Sequence, residues 1–497
     1  MAADSVLRSS NSGRLSFTHA DSEPVFTSPD ENYISAIPPE LLGRIFQLAQ
    51  PTARPESEDK CEEPDRIPPP GIPVEVVASH VSGYWRKVAL GMGPLWREIN
   101  IRHDVTMEKL RTYLARSGNA LLHIRLDLIQ GPWDIAVLTE TVDLLFSHIL
   151  RWGRLTIHST IETSDMPVVS RLYDVSAPQL EHLGLCIDDV DAKNLKSVRR
   201  ADFEQILTKG CPRLSVLRLR GLSMHFFRPP LTNITTLHLE QTRGLFMGYT
   251  RFKHMLTASP ALAHLSIHDT IIDEWEEEWP VDSVSCISVP SLISLRISIP
   301  GTLQHIFSDV LISISAPRLE SLVLKQVAEV HLDRFFHLPG VSVKFPSLRS
   351  LTFYDFDYRS GERLAKMCTA FPSITEFTCI HTPAYPPRIL EMMAGRSIAP
   401  LGAPTVDPWP TLRTLTTNID ADDLELLRLV VERRRDIGHP LRFLRVHEGM
   451  FEYTMDEEDE ETLAWLEDNM TVERFLNVGR WPPGSDYDPD DTFFLEL

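Results

Sequence analysis

The sequence predicts an α/β protein in which a short helical module at the N-terminus precedes a long array of alternating strands and helices. Apolar residues between 41 and 48 recur at helical spacing, which predicts the module. A unit of the form P-x-L-x-x-L-x-L recurs from Pro178 to Pro440, at intervals that average about 29 residues. Segments with helical periodicity, such as 424–435, separate these units.

Charge along the 497-residue chain is unevenly distributed. The formal net charge is −20, which argues against a nucleic-acid-binding surface over the whole body. Residues 450–497 contain fifteen acidic and two basic residues, so this segment alone carries −13. The rest of the chain is therefore close to neutral, and we expect an acidic C-terminal tail at 481–497.

No targeting or membrane segment is visible in the sequence. Residues 1–33 are polar and lack periodicity, which predicts a disordered tail. No apolar run approaches the roughly 20 residues that are needed to span a bilayer. We expect a protein of the cytoplasm, the nucleus or both, with no membrane partner.

The segment 34–101 predicts a module of three short helices. Proline near the start of the first helix suits a helical turn whose N–H groups have no partner, and one face of that helix is apolar. The prolines concerned are Pro38 and Pro39, and the apolar residues are Leu41, Leu42, Ile45, Phe46 and Leu48. A second helical stretch begins near Val74, and a short apolar segment closes the module around Trp96. The acidic, proline-rich stretch 50–72 predicts a solvated insertion.

Residues 102–480 contain the repeats. In each L-x-L pair the two apolar side chains lie on the same face of a short strand. Proline cannot continue a helix, so it marks the end of the preceding segment. Helical patterns at 202–209, 361–370 and 424–435 lie between the units. One strand per unit predicts an irregular solenoid, with a parallel sheet on its concave face and helices on its convex face.

Motifs for catalysis or ligand binding are absent from the sequence. The six cysteines include no C-x-x-C pair, and no phosphate loop, H-E-x-x-H motif or nucleophile elbow occurs. We expect no enzyme activity, no cofactor and no metal. The acidic runs 273–278 and 456–461 are typical of solvated surfaces; an alternative hypothesis is that they select a basic segment of a substrate.

The segment 34–101 resembles an F-box, in the F-box-like form common in fungal families. The resemblance rests on I-P-x-E-L-L-x-x-I-F at 37–46, on V-S-x-x-W-R-x-V-A at 81–89 and on L-W-x-x-I at 95–99. Two departures are the insertion at 50–72 and Ser82, where cysteine is common.

The resemblance implies a non-catalytic substrate receptor of an SCF-type ubiquitin ligase, which binds the adaptor Skp1 and through it a cullin. It also implies that eight apolar residues of the module contact Skp1. These residues are Pro38, Leu41, Leu42, Ile45, Phe46, Val81, Trp85 and Trp96. We expect residues 30–105 alone to bind Skp1, and the joint substitutions Leu41→Asp and Ile45→Asp to abolish binding.

The unit at 209–219 resembles the leucine-rich repeats that form the C-terminal domains of some F-box proteins. Positions that often hold Asn or Cys are occupied here by Ile187, Leu222 and Val327, so we expect an uneven solenoid. The resemblance implies that a protein substrate binds the concave face, at the x positions of the L-x-L pairs. These positions are Gly184, Arg218, His238, Ser266, Arg296 and Val323.

Among them, the polar side chains of Arg218, His238, Ser266 and Arg296 are the candidate substrate-binding residues. They share no single chemistry, so the sequence does not identify the substrate. The alternative function is a leucine-rich scaffold that binds a protein partner without ubiquitination.

Overall fold

The structure is a computed structural model of the chain. The described residues are 37–50, 72–103, 105–129, 133–160, 168, 170–188, 204–240, 247–269, 279–280, 286–298, 306–357, 361–380, 388–396, 408–419, 423–451, 457–476, 481–483, 491 and 493. The predicted tail at 1–33, nearly all of the insertion at 50–72 and the acidic run 273–278 lie outside them.

The protein is an α/β structure built on one large parallel sheet. Within the described residues this sheet has 14 strands, and two further pairs of two-residue strands lie outside it. The strands of the large sheet are β1 (Glu98–Ile101), β2 (Leu122–Asp127), β3 (Trp152–Thr160), β4 (His182–Asp188), β6 (Val216–Gly221), β8 (Thr236–Glu240), β9 (His264–His268), β11 (Ser294–Ser298), β13 (Ser321–Ala328), β14 (Ser350–Asp357), β15 (Glu376–Ile380), β16 (Thr414–Thr417), β17 (Phe443–His447) and β18 (Thr471–Phe475). The short pairs are β5 (Glu204–Gln205) with β7 (Phe227–Arg228), and β10 (Ile287–Ser288) with β12 (Ile314–Ser315).

Strands of the large sheet follow one another in chain order, and every neighbouring pair is parallel. The apolar pairs stay in register from strand to strand: Leu183 lies beside Leu217, and Leu295 beside Leu322. This apolar face is buried in a single core cluster that it shares with the helices. The sheet also extends beyond the proline-led units, because β1, β2 and β3 precede Pro178 and β18 follows Pro440.

Most prolines of the repeat lie in a tight turn that leads into the strand. The N–H of Leu180 donates to the carbonyl of Ala177 at 3.1 Å, which places Pro178 at the second position of the turn. The same bond joins Leu262 to Ser259 and Leu319 to Ala316. A fixed φ near −65° suits proline to this position. The proline therefore shapes the entry to the strand as well as excluding a helix before it.

Thirteen α-helices occur in the described part of the chain. They are α1 (Pro39–Ala49), α2 (Val74–Val81), α3 (Gly83–Gly91), α4 (Met107–Arg116), α5 (Ile135–Phe146), α6 (Ser223–Phe226), α7 (Tyr249–Thr257), α8 (Ile306–Ser313), α9 (Asp333–Phe336), α10 (Gly361–Ala370), α11 (Arg388–Met393), α12 (Leu424–Asp436) and α13 (Glu457–Asn469). None of them is long and apolar enough to cross a membrane.

The structure confirms the helices predicted near 361–370 and 424–435, but the helix predicted at 202–209 is wrong. Strand β5 lies there instead, and Leu207 has a φ of 57°, which a helix does not allow. Most of the predicted acidic run at 456–461 forms the first turn of α13, where carboxylates stabilise the positive end of the helix.

The N-terminal helices are continuous with the sheet. Residues 98–101, which the sequence assigned to the helical module, form β1 and pair with β2. Just before β1, the ring of Trp96 is fully buried and its centroid lies 5.2 Å from that of Tyr113 in α4. The guanidinium of Arg116 lies over the same ring, 4.4 Å from its centroid.

Candidate functional site

Helices α1 and α2 expose apolar side chains to solvent. Leu41 and Ile45 of α1 are 60% and 49% exposed, and Leu48 continues the same side of the helix one turn later. Val77 and Val81 of α2 are also exposed. We call these five residues the apolar helix surface. Side chains of this kind are common partner-binding elements when they recur at helical spacing.

The structure divides the eight residues predicted to contact an adaptor. Pro38, Leu41, Ile45 and Val81 are exposed. Leu42, Phe46 and Trp96 are buried in the core of the protein, so they present no exposed side chain to a partner in this structure. Trp85 is partly buried, with its ring centroid 4.9 Å from that of Phe46.

The separation has a simple cause. Adjacent positions in a helix lie about 100° apart, so Leu41 and Leu42 lie on different faces of α1. Sequence spacing alone did not reveal that the inner face packs against α3 and the segment 93–96. Leu48 and Val77 were missed as surface residues, although both belong to the apolar patterns of their helices.

A buried carboxylate joins helix α2 to helix α4. Glu75 of α2 is 6% exposed, and it accepts hydrogen bonds from the hydroxyl of Tyr113 at 2.8 Å and the side-chain amide of Gln50 at 3.3 Å. Burial is the main cause that raises the pKa of the Tyr113 hydroxyl above its usual value, and the hydrogen bond to Glu75 raises it further. A fragment that ends at residue 105 would lack Tyr113 and the partner strand of β1, so tests of the apolar helix surface require the full chain.

Substituting Tyr113→Phe should therefore destabilise the protein. The change removes the stronger of the two hydrogen bonds to a buried carboxylate, and we expect the free energy of unfolding to fall by about 1–3 kcal/mol. Denaturant unfolding monitored by circular dichroism measures the change. Tyr84→Phe is a matched control, because its hydroxyl bonds the Ile37 carbonyl in a partly exposed setting. An unchanged midpoint for Tyr113→Phe would contradict the linking role of Glu75.

A second candidate surface is the face of the sheet opposite the apolar core. Its central positions form one line across all 14 strands, which we call the second-face row: Asn100, Arg125, Thr156, Gly184, Arg218, His238, Ser266, Arg296, Val323, Thr352, Thr378, Thr416, Arg445 and Glu473. The four candidate substrate-binding residues predicted from the sequence are consecutive members of this row, on β6, β8, β9 and β11.

Those four residues are buried, although a free substrate-binding surface would be exposed. Arg218, His238, Ser266 and Arg296 are between 1% and 4% exposed. Residues close to the C-terminus cover Arg296 and its neighbours, and no local sequence pattern predicts this arrangement. The role of the four residues in substrate binding stays a prediction, because a substrate would first have to displace the residues that cover them.

Arg296 is the centre of the covered region. Its guanidinium donates two hydrogen bonds to the carboxylate of Asp491, at 2.6 and 2.8 Å, and a third to the Ser266 hydroxyl at 2.7 Å. The rings of Trp481 and Phe493 lie 4.2 and 4.5 Å from the same guanidinium. A bidentate carboxylate and two aromatic rings are the partners that arginine prefers when it is removed from water.

The backbone and ring of Phe493 are also held by the sheet. The Lys325 ammonium, which is fully buried, donates to the Phe493 carbonyl at 2.9 Å. The ring is 1% exposed and lies in an apolar cluster on the second face. The other members of this cluster are Val323, Tyr354, Ile380 and Phe475.

Trp481 covers the strands on the other side of Arg296. Its indole N–H donates to the Ser294 hydroxyl at 2.6 Å, and its ring meets the rings of His238 and His264 edge to face. Trp481, Asp491 and Phe493 thus contact the second face through different chemistry, and together we call them the C-terminal anchor.

His238 is neutral in this environment. Its Nδ1 lies 3.3 Å from a guanidinium nitrogen of Arg296, which can only donate, so Nδ1 accepts and carries no proton. Burial is the main cause that holds the pKa of His238 well below its usual value, and the positive charges of Arg218 and Arg296 lower it further. The positive charge that the second face presents to the anchor thus comes from Arg296 and Lys325, and not from this histidine.

Comparison with models of known protein families and with curated proteins gives no significant match for this chain. The two surfaces described above are therefore the basis for assigning a function.

Proposed function

We propose that the protein is a non-catalytic substrate receptor of an SCF-type ubiquitin ligase. In this proposal α1–α3 act as an F-box-like module that binds a Skp1-like adaptor, and the sheet captures a protein substrate. The observation that carries the proposal is the apolar helix surface. Leu41 and Ile45 remain exposed although the core beneath them is already filled by Leu42 and Phe46.

The exposed residues support an adaptor-binding role because they satisfy the requirements of helix-in-groove recognition. Leu41, Ile45 and Leu48 follow the i, i+4, i+7 spacing of one helical face. Moving these side chains from water into an apolar groove is favourable by about 25 cal/mol for each Å² of apolar surface. The resemblance of 37–46 and 81–99 to an F-box identifies the groove as that of a Skp1-like protein.

For the remainder of the chain we propose an irregular leucine-rich-repeat solenoid, with the second face as its concave surface. Chain-order pairing of the strands supports this, since each unit then contacts only its neighbours. The in-register apolar pairs and the similar turns before most proline-led strands support a common repeating unit.

The proposed mechanism is one of proximity. A substrate bound to the sheet and an adaptor bound to the helices would belong to one assembly, which raises the effective concentration of the substrate near the ubiquitin-loaded enzyme. Packing of Trp96 on Tyr113 and the bond between Glu75 and Tyr113 fix the N-terminal helices to α4, and residues 98–101 join them to the sheet through β1. A rigid connection keeps the captured substrate at a constant distance from the adaptor.

Co-expression of the full chain with a Skp1-like protein tests the proposal. We expect a stable complex of one copy of each protein in size-exclusion chromatography, and recruitment of a cullin when it is added. Failure to bind the Skp1-like protein would contradict the proposal. A complex that forms but never recruits the cullin would instead favour the scaffold function.

A further inference from the structure

The C-terminal anchor supplies a template for what the second face binds. Asp491 and Phe493 are two residues apart, and they meet a buried cation and an apolar cluster that lie side by side on the sheet. The Phe493 N–H also donates to the Asp491 carboxylate at 3.2 Å, which fixes the two side chains relative to each other. The recognised element is therefore Asp-x-Phe, an acidic residue followed two positions later by an aromatic one.

Charge complementarity also favours an acidic ligand. Arg296 and Lys325 belong to the second face and bind the anchor, whereas Arg218 and Arg220 on the same face lie 3.8 and 3.2 Å from the carboxylate of Glu240. Residues 481–497 contain five acidic residues and no basic one, namely Asp486, Asp488, Asp490, Asp491 and Glu496. Opposite potentials of this kind steer a ligand and fix its register more than they add affinity.

The anchor is a replaceable occupant of this face. It reaches Arg296 from 195 positions away in sequence, and every described strand of the large sheet precedes it along the chain. Its contacts also leave polar atoms of the face unused: Nδ1 of His264 and Oγ of Ser298 are buried, with no hydrogen-bond partner among the described residues. A ligand that paired these atoms would compete well with the anchor.

We propose that the second face is a recognition site for acidic-aromatic peptide segments of the Asp-x-Phe type, and that the C-terminal anchor occupies it in cis as a competitor of the protein substrate. The inference rests on the proposed function, since it names the substrate class of the capturing surface. A substrate segment must displace the anchor, so only partners with multiple matching contacts or high local concentration bind.

Binding of a labelled peptide tests this inference without any adaptor. The probe is a fluorescent synthetic peptide of residues 480–497, and fluorescence anisotropy measures its affinity. The receptor is the full chain with Asp491→Lys and Phe493→Ala, which releases the anchor. We expect this released chain to bind the peptide at least about tenfold more tightly than the unmodified chain, because a tethered competitor acts at an effective concentration of roughly millimolar.

Two controls identify the contacts. A peptide of the same composition in scrambled order has the same net charge and should not bind, and Arg296→Met in the released chain should reduce binding of the true peptide at least about tenfold. The single variant Asp491→Asn, which keeps the side-chain volume, should give an intermediate affinity.

Three outcomes would overturn the inference: equal peptide affinity for the released and unmodified chains, no binding to either, or loss of cooperative unfolding in both released and Asp491→Asn chains. The last would make the anchor a permanent part of the core. Failure of the adaptor assignment is distinguishable, since it would abolish binding to the Skp1-like protein while leaving peptide affinity unchanged.

Discussion

Joint substitution of Leu41→Asp and Ile45→Asp in the full chain should abolish binding to a Skp1-like adaptor. The two side chains are exposed and one helical turn apart, so the aspartates would place two charges in an apolar groove. We expect affinity to fall by at least about 100-fold, as for removal of interface hot spots. Because neither residue is buried, the denaturant midpoint of unfolding should hardly change.

Ile135→Asp with Leu150→Asp is the matched control for this prediction. Both residues are apolar and more than 60% exposed, but they lie outside the N-terminal helices. The control should keep full affinity in isothermal titration with the Skp1-like protein. If both double variants lose affinity equally, or if the Leu41 and Ile45 variant binds normally, the apolar helix surface is not the adaptor site.

Trp96→Ala should strongly destabilise the protein. The indole is fully buried, its N–H donates to the Ala89 carbonyl at 2.8 Å, and its ring packs between Tyr113 and Arg116. Truncation of a buried tryptophan costs about 3–5 kcal/mol through lost burial and the cavity that remains. Denaturant unfolding measures the loss.

Trp465→Ala provides the comparison, because that ring is only partly buried. The guanidinium groups of Arg428 and Arg435 lie 5.2 and 5.6 Å from its centroid. Its loss should cost less than about 2 kcal/mol. The opposite result for Trp96, weaker adaptor binding with unchanged stability, would restore the direct contact role predicted from the sequence.

Periodicity predicted the parts of the fold that depend on local burial. The L-x-L pairs place Leu183 and Leu185 in the core, and in-register stacking then follows because each unit repeats the same pattern. The proline-led repeat did not predict strands β1–β3, because no such unit precedes them. For β2, the sequence signal was the alternation of Leu122, Ile124 and Leu126 with polar residues. Leu207 shows the limit of the method, because its apolar character fits a helix while its backbone does not.

Contacts between distant segments were beyond sequence reasoning. The row from Arg218 to Arg296 was predicted correctly as one side of the strands, but nothing local indicated what covers it. The only available signal was charge: an acidic C-terminal segment in a chain whose central strands carry arginine at outward positions. For the N-terminal helices, deciding between Leu41 and Leu42 required knowing which face α3 covers.

The C-terminal anchor restrains the fluctuations of several strands of the sheet together. In a linear array each strand is restrained by its two neighbours, so fluctuations at one place decay within a unit or two. Trp481, Asp491 and Phe493 together contact four strands, namely β8, β9, β11 and β13. Loss of these contacts would let the four strands fluctuate more independently of one another. Occupancy of the second face and the local stability of these strands are therefore thermodynamically linked.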